Sequence, residues 1–237
     1  MLTLDSMTAL VIAPHPDDEI FGCGGTIHRL KAAGGKVYVL YMTVGTTADF
    51  SAKGRSTAEE RMEEIAQVAQ LLDYDGYTVA FPGDEYHLKL DAVPQRELVY
   101  AIERAGDISL QGLQPDMVLA PSAADYNQDH RAISFATMTA TRPGPRQFKS
   151  FQPLVVTYEL PYHQWNLADS LPTPHLYVDL APASADAKIQ ALTLYQSQLK
   201  SPESPLSVHG VQALAAYRGL QCGAGAAEAF QIERLVI

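Results

Sequence analysis

The chain has 237 residues, of which 47% are hydrophobic and 19% charged, so it can bury a sizeable core and is not an intrinsically disordered protein. Its 17 Lys and Arg against 27 Asp and Glu give a formal net charge of −10, and it contains no basic run. This excess of acidic residues argues against nucleic acid and anionic membrane surfaces as partners.

The N-terminal residues lack the features of a secretory signal. No Lys or Arg precedes Arg29, Asp5 interrupts the start, and the apolar run at 9–13 is too short. No stretch approaches the roughly 18 consecutive apolar residues of a membrane span. The two cysteines, Cys23 and Cys222, form neither a C-x-x-C pair nor a disulfide framework. We therefore expect a cytoplasmic protein with no membrane insertion.

The first half of the chain alternates apolar, β-branched runs with amphipathic stretches. The predicted strands are 8–13, 36–42, 77–81 and 116–120. The predicted helices are 17–33, 58–72, 95–103 and 131–141. The second of these helices follows a capping box, and its predicted apolar face consists of Met62, Ile65, Val68, Ala69 and Leu72.

The second half of the chain is less regular. It contains predicted strands at 154–158 and 176–180, and predicted helices at 183–199 and 211–220. The alternation of strands and helices predicts right-handed crossovers and an open, mostly parallel sheet with helices on both faces. Because no linker or internal repeat interrupts the pattern, we expect a single α/β domain over residues 1–237.

Two polar clusters follow predicted strands. Residues 15–19 (HPDDE) come directly after the first strand, and residues 125–131 (DYNQDHR) come shortly after the fourth. In open α/β sheets, ligands bind beyond the carboxyl ends of the strands, where the strand order reverses. If the first and fourth strands flank that point, the two clusters face each other across one crevice.

The residue types in these clusters can hold a metal ion. His15 ends a strand and Asp18 begins a helix, and Pro16 stiffens the turn between them, so both side chains can point at one place. With His130 as third ligand, they would form a set of the kind that binds catalytic zinc and leaves a position open. Manganese, iron(II), cobalt or nickel would also suit these ligands.

Two carboxylates beside these ligands suit catalysis. Asp17 could take a proton from an activated water, and Asp129 could accept the free N–H of a ligating imidazole. The alternative is structural, because acids in a first helical turn commonly serve as caps and an Asp-His pair is commonly a surface pair. The residues alone leave both interpretations open.

At these residues the chain resembles the PIG-L/LmbE-like family of zinc-dependent N-acetylglucosaminide deacetylases. The likeness covers nearly the whole chain. It rests on residues 13–19 (APHPDDE) with Gly22-x-Gly24-Gly25, on Arg61-x-x-Glu64, on 115–119 (PDMVL) leading to 125–131, and on 217–219 (YRG) with 227–230 (AEAF).

The resemblance implies a Rossmann-like fold in which His15, Asp18 and His130 hold zinc and Asp17 is the general base. It implies hydrolysis of the acetamide on a glucosamine-like sugar conjugate, a small molecule, with release of acetate and a free amine. Relatives also lead us to expect a homo-oligomer. The motifs do not identify the carrier attached to the sugar.

Asn127 departs from the family pattern, since many members have His at this position. An Asn amide can still donate a hydrogen bond to the oxyanion, which gives Asn127 a catalytic role. It cannot deliver a proton to the leaving amine. That proton would have to come from Asp17, once protonated, or from another histidine.

Residues 201–207 are the second departure. The branch that this chain most resembles often has Pro-His-Pro-Arg-Ser here, so Ser204 and Leu206 stand at the His and Arg positions. This change suggests a different substrate or lost activity. His163 or His209 could compensate, or each could be an ordinary loop or helix-start residue.

Two further residues are candidates for contact with the substrate. Arg61 matches a family position that often contacts substrate, although it could instead pair with Glu60 or Glu64 at the start of its helix. Asp84 follows the third strand, where it could bind sugar hydroxyls or serve only as a turn residue.

Two other functions are compatible with the sequence. An amidohydrolase acting on a non-sugar N-acyl amine would be indifferent to the sugar ring. A metal- or sugar-binding protein without catalysis is suggested by Asn127 and the changed segment 201–207. The presence of Asp17 argues against the second, because binding a metal does not require this residue.

Overall fold

A computed structural model of the chain describes residues 4–48, 51, 53–162 and 173–237. The strands are β1 (Thr8–Ala13), β2 (Lys36–Val44), β3 (Thr47–Ala48), β4 (Arg55–Ser56), β5 (Gly76–Pro82), β6 (Met117–Pro121), β7 (Leu154–Tyr158), β8 (Leu176–Asp179) and β9 (Ala227–Leu235). The α-helices are α1 (Asp18–Ala32), α2 (Ala58–Leu71), α3 (Gln95–Arg104), α4 (Leu110–Leu113), α5 (Gln128–Ala140), α6 (Pro182–Leu194) and α7 (Val208–Cys222). Short 3-10 helices cover Leu90–Ala92 and Gln196–Gln198.

Among the described strands, seven form one sheet in the order β5-β2-β1-β6-β7-β9-β8. Strands β5, β2, β1, β6 and β7 pair in parallel, whereas β9 is antiparallel to both of its neighbours. The chain moves outward from β1 to β2 and β5, and then returns to β6 on the other side of β1. The strand order therefore reverses between β1 and β6, and the predicted mostly parallel α/β domain is confirmed.

Strand β1 lies at the centre of two cores. Its side chains alternate between the faces of the sheet: Ala9 and Val11 belong to one buried cluster, and Leu10 and Ile12 to the other. The first cluster includes residues of α1, α2 and α6, and the second includes residues of α3 and α5. Helices thus cover both faces, as a strand apolar along its whole length predicts.

Helix α1 bends at Cys23, whose φ of −148° and ψ of 20° are not helical. The bend exposes backbone N–H groups, as a new helix start would, and those of Gly25 and Thr26 donate to the carboxylate of Glu228 at 2.9 and 2.7 Å. Lys188 Nζ lies 2.6 Å from the same carboxylate. A residue of β9 thereby caps the second half of α1, with its buried charge paired.

Several element predictions need correction. No strand was predicted at β9, where the charged Glu228 stands among apolar residues. Helix α6 ends at Leu194 rather than at residue 199, and a 3-10 turn follows it. Helix α5 begins at Gln128 rather than at residue 131, since the Asn127 side chain accepts the N–H of Asp129 at 2.9 Å and caps the helix.

The buried face of α2 also differs from its apolar pattern. Met62 is 37% exposed, while Arg61 and Glu64 are buried. Glu64 accepts the backbone N–H and the hydroxyl of Ser197, each at 2.7 Å, so its charge is satisfied inside the fold. Specific polar partners therefore outweigh the apolar preference at this position. In the described part of the chain, no helix has the length and apolar character needed to cross a bilayer.

Replacing Gly22 with Ala should destabilise the fold. An added Cβ would lie 2.3 Å from Cδ2 of Tyr158, so the helix or the ring would have to move. We expect the free energy of unfolding to fall by about 1–3 kcal/mol, the usual cost of overpacking, as measured by urea denaturation. Gly24→Ala is the control, because its Cβ would lie 3.2 Å from Ile20 and displace less. Equal losses in both variants would contradict this explanation.

Candidate active site

The turn between β1 and α1 holds the first polar cluster in a fixed shape. The N–H of His15 donates to Asp18 Oδ2 at 2.9 Å, which draws the start of α1 back to the end of β1. Asp17, between them, has a φ of 107°, a left-handed conformation that is rare for residues other than glycine. Its N–H donates to the carboxylate of Glu19 at 3.1 Å.

The second cluster caps and begins α5. Because Asn127 is the N-cap, Asp129 and His130 lie in the first turn of the helix, beyond the end of β6. Asp129 is fully buried and His130 is 1% exposed. Since β1 and β6 pair directly, this first turn faces the β1–α1 turn across the point where the strand order reverses.

Three side chains from the two clusters meet at one point. His15 Nδ1 lies 3.3 Å from Asp18 Oδ2, His130 Nε2 lies 3.1 Å from the same oxygen, and the two ring nitrogens are 3.2 Å apart. Two ligands bonded to zinc at about 2.0–2.1 Å in tetrahedral geometry are themselves about 3.3 Å apart. The three predicted metal ligands thus form a group that could hold a divalent ion.

Buried carboxylates orient both imidazoles. Asp129 Oδ2 lies 2.9 Å from His15 Nε2, and Asp125 Oδ2 lies 2.7 Å from His130 Nδ1. If each carboxylate accepts the N–H of its ring, the other nitrogen keeps its lone pair and faces the shared centre, as in many metal sites. Asp129 was predicted to have this role, and its partner is the distant His15 rather than the adjacent His130.

Asp125 is a residue that sequence reasoning left without a role. Its Oδ2 faces His130, while its Oδ1 accepts the N–H of Asn127 at 2.9 Å. The signal was available in the sequence, since Asp125 lies five residues before a proposed ligand and just after a strand.

The carboxylates around the two histidines favour protonation of their rings. Burial alone would lower the pKa of His130, but Asp18 and Asp125 outweigh it and raise the pKa to about 10. Burial would likewise raise the pKa of Asp18, yet the two histidines hold it well below its usual range. Because a metal ligand must be a neutral imidazole, metal uptake has to displace a proton from this group.

Asp17 lies beside the ligands and is less buried than they are, with 14% of its side chain exposed. Burial raises its pKa to about 7, against the opposing effect of the nearby Arg61 guanidinium. Arg61 is 2% exposed, donates to the carbonyl of Pro16, and approaches Asp17 Oδ2 to 3.8 Å. The alternative prediction, that Arg61 pairs with Glu60 or Glu64, was wrong, because the partners of Arg61 are Asp17 and the carbonyl of Pro16.

A cavity of about 650 Å³ opens over this group. Of the predicted site residues, His15, Asp17, Asp18, Arg61, Asn127 and His130 line it. Asp129 lies behind the lining residues, against His15. Ser204 and Leu206, the two changed positions of segment 201–207, also line the cavity. The second departure from the family pattern is therefore part of the site.

Other candidate residues lie elsewhere. Asp84 is exposed and does not line the cavity, and its Oδ1 accepts the N–H of Thr46 at 2.6 Å, as expected of a turn residue. Its contact with substrate stays a prediction. His209 lies in the first turn of α7, exposed and away from the cavity, which fits an ordinary helix-start histidine. His163 lies outside the described residues.

His87 lines the cavity although no sequence motif pointed to it. Its Nε2 lies 2.7 Å from the Thr47 hydroxyl, and its ring meets that of His15 edge to face, with 5.4 Å between centroids. Burial, followed by the charges of His15 and Arg61, lowers the pKa of His87 to about 3. No motif marks it, because a histidine in a loop after a strand is unremarkable by pattern.

Elemental analysis of the untagged protein should find about one divalent transition-metal ion per chain. His130→Ala should lose this ion, because it removes one corner of the ligand group, whereas the control His209→Ala should retain it. Asp125→Asn should weaken metal affinity by about 10–100-fold, the usual effect of losing a carboxylate behind a ligating histidine. Failure of the wild-type protein to bind any metal, even on reconstitution, would contradict the site.

Comparison with known proteins identifies the family. The family model described as PIG-L, GlcNAc-PI de-N-acetylase, matches residues 10–141. The 2'-N-acetylparomamine deacetylase of Streptomyces fradiae is 29% identical over 168 residues, which cover 65% of this chain and 57% of that protein. The diacetylchitobiose deacetylase of Thermococcus kodakarensis is 30% identical over 141 residues, which cover 57% of this chain and 49% of that protein.

The chain thus spans about half the length of these two relatives. Over nearly its whole length it is similar to the crystal structure of the conserved protein TT1542 from Thermus thermophilus. The TM-score is 0.71 at 29% identity, with 98% of this chain and 96% of that one covered. Since the family model matches more than half of its residues, including both polar clusters, the chain belongs to the PIG-L family.

Proposed function

We propose that this protein is a metal-dependent N-deacetylase that hydrolyses the acetamide of an acetylated amino-sugar conjugate to acetate and a free amine. The observation that carries the proposal is the group formed by His15, Asp18 and His130, with Asp17 beside it, at the base of a cavity. Family membership and the names of the two deacetylases to which the chain is similar support it.

The three ligand atoms and their spacing suit Zn²⁺, which we propose as the ion, with other divalent transition metals as alternatives. Such an ion would act as a Lewis acid on the acetamide carbonyl and lower the pKa of water to about 7. Asp129 and Asp125 would keep His15 and His130 oriented toward it. The residues of the chain supply the remaining proton transfers and hydrogen bonds.

Asp17 is the proposed general base. It borders the cavity next to the ligands, and Arg61 fixes its surroundings by donating to the carbonyl of Pro16. A carboxylate with a pKa near the working pH can both take a proton from water and return it to the leaving amine. Because His209 lies away from the cavity, and burial lowers the pKa of the lining residue His87 to about 3, we propose that Asp17 performs both steps.

Asn127 is the proposed donor to the oxyanion. Its Oδ1 is engaged as the helix cap by the N–H of Asp129, which fixes the orientation of the amide. The Nδ2 group is then left to donate, and the half-buried side chain borders the cavity. The local structure of α5 thereby presents a donor where many relatives have a histidine.

We further propose that Arg61 and Asp84 contribute to substrate binding. The Nε atom of Arg61 is buried and has no hydrogen-bond partner among the described residues, so the residue has donor capacity left at the cavity wall. Homo-oligomer formation and a cytoplasmic location remain expectations of the same proposal.

Acetate release by the metal-loaded protein tests the function. In a panel of acetylated amino sugars and simple N-acyl amines, we expect turnover of the sugars. This turnover should stop when the metal is chelated and return when metal is added back. Equal turnover of simple N-acyl amines would favour an amidohydrolase that ignores the sugar ring. Stoichiometric metal without acetate release across the panel would favour a binding protein.

Asp17→Asn should lower kcat for acetate release by about 10²–10⁴-fold, because general base catalysis contributes that much, while metal content stays near wild type. Initial rates and elemental analysis on the same preparation measure both. Glu63→Gln, which also replaces a carboxylate with an amide but at an exposed position of α2, should leave kcat and metal content unaltered. Full activity in Asp17→Asn would rule out its role as base.

Asn127→Asp should lower kcat by about 10²–10³-fold, since it removes an oxyanion donor and adds a negative charge. Its thermal stability should be close to that of wild type, because Asp caps a helix as well as Asn does. Asn127→Ala should lose the same activity and in addition about 1 kcal/mol of stability. An active Asn127→Asp enzyme would assign the residue to capping alone.

A further inference from the structure

The entrance of the cavity differs in character from its base. Four residues that line the cavity together with the polar ligand group are here named the mouth: Leu88, Tyr126, Tyr162 and Leu206. Leu88 is 41% exposed and Tyr126 is 51% exposed, whereas the three ligands are 7% exposed or less. Leu88 and Tyr126 thus lie open to solvent in the same cavity as a buried, charged centre, while Tyr162 is 8% exposed and packs against Tyr126.

Leu88 is held at the mouth in an unfavourable conformation. Its φ is 59°, in the left-handed region that branched and bulky residues seldom adopt. The Gln128 side chain donates to the carbonyl of Leu88 at 3.1 Å and fixes this turn against the start of α5. Leu88 belongs to neither hydrophobic core. A strained backbone that presents an exposed leucine to the cavity points to a role in binding.

Two tyrosines extend this apolar surface. The rings of Tyr126 and Tyr162 meet edge to face with centroids 5.0 Å apart. The Tyr162 hydroxyl donates to Asp125 Oδ2 at 3.3 Å, so its ring is tied to the carboxylate behind His130. An exposed aromatic ring supported in this way can pack against a flat apolar group with little loss of side-chain freedom.

The charges of the cavity do not favour an anionic group. Among the described residues that line it, Arg61 and Lys200 are the lysines and arginines. Arg61 is buried and donates to the carbonyl of Pro16 beside Asp17, at the base rather than at the mouth. Lys200 is a single, half-buried cation, and Asp17 and Asp18 also line the cavity, so its lysines and arginines do not outnumber its carboxylates. With a net charge of −10, the protein as a whole also repels anions.

We propose that the natural substrate carries an uncharged, apolar and preferably aromatic group on its acetylated amino sugar, and that this group packs on Leu88 and Tyr126. The inference rests on the proposed function for the identity of the sugar part. It adds the chemical class of the carrier, for which the mouth provides apolar contacts and no cluster of cations.

The test uses the metal-loaded full chain and three matched probes. These are N-acetylglucosamine, its phenyl β-glycoside and its carboxymethyl β-glycoside, with acetate release as the first readout. We expect kcat/KM for the phenyl glycoside to exceed that for either other probe by about tenfold or more, the scale of discrimination in apolar pockets. Calorimetric binding of the corresponding free amines is the second readout, and it does not require turnover.

Three variants separate the mouth from general packing. For each variant we compare kcat/KM for the phenyl glycoside with kcat/KM for N-acetylglucosamine. Tyr126→Ala should reduce this ratio toward one. Leu88→Asn should do the same while keeping or raising the melting temperature, because Asn tolerates the left-handed conformation that strains Leu. Phe135→Ala is the matched control, since Phe135 is a 60% exposed aromatic residue on α5 outside the cavity, and its ratio should stay at the wild-type value.

The outcomes distinguish this inference from the proposed function. Preference for the carboxymethyl or the free sugar would overturn the inference while deacetylation stands. A phenyl preference unchanged in both Tyr126→Ala and Leu88→Asn would overturn it as well. If no probe releases acetate, the deacetylase function is overturned. If in that case the phenyl amine still binds more tightly than the other amines, and both variants abolish this preference, the apolar mouth is supported.

Discussion

The turn between β1 and α1 is the constraint on which the rest of the site depends. Asp17 adopts a left-handed conformation there, at a cost of about 1–3 kcal/mol for a residue other than glycine. Glu19 accepts its N–H, and Arg61 donates to the carbonyl of the residue before it. Because the turn is held in this way, Nδ1 of His15, a residue of the turn, lies 3.3 Å from Oδ2 of Asp18, the first residue of α1.

Buried charge sets the second requirement. Asp18, Asp125 and Asp129 are each at most 5% exposed, and two imidazoles face them. Removing three carboxylates from water is costly unless positive charge compensates them. The carboxylates therefore favour the protonated form of the histidines, and Asp18 and Asp125 raise the pKa of His130 to about 10. A divalent ion held by His15, Asp18 and His130 would compensate the same carboxylates, with neutral imidazoles as its ligands.

The sequence allowed the sheet and both polar clusters to be predicted, because strand burial, caps and spacing are local properties. Features that depend on distant contacts could not be predicted. Glu228 interrupts an apolar pattern, yet β9 forms because Lys188 and the bend in α1 satisfy its charge. Arg61 replaces Met62 on the buried face of α2, since its partner is the carbonyl of Pro16, 45 residues away. His87 enters the cavity through the position of its loop, which no pattern encodes.

Chemistry and selectivity use different parts of the same fold. The ligands lie at the ends of β1 and β6 and in first helical turns, where each is buried and braced by a second polar group. The mouth comes from loops after β5, β6 and β7 and from the segment between α6 and α7. A change in the mouth alters which carrier fits, whereas a change at the base disturbs buried charge. This separation explains why segment 201–207 can depart from the family pattern while His15, Asp18 and His130 still match it.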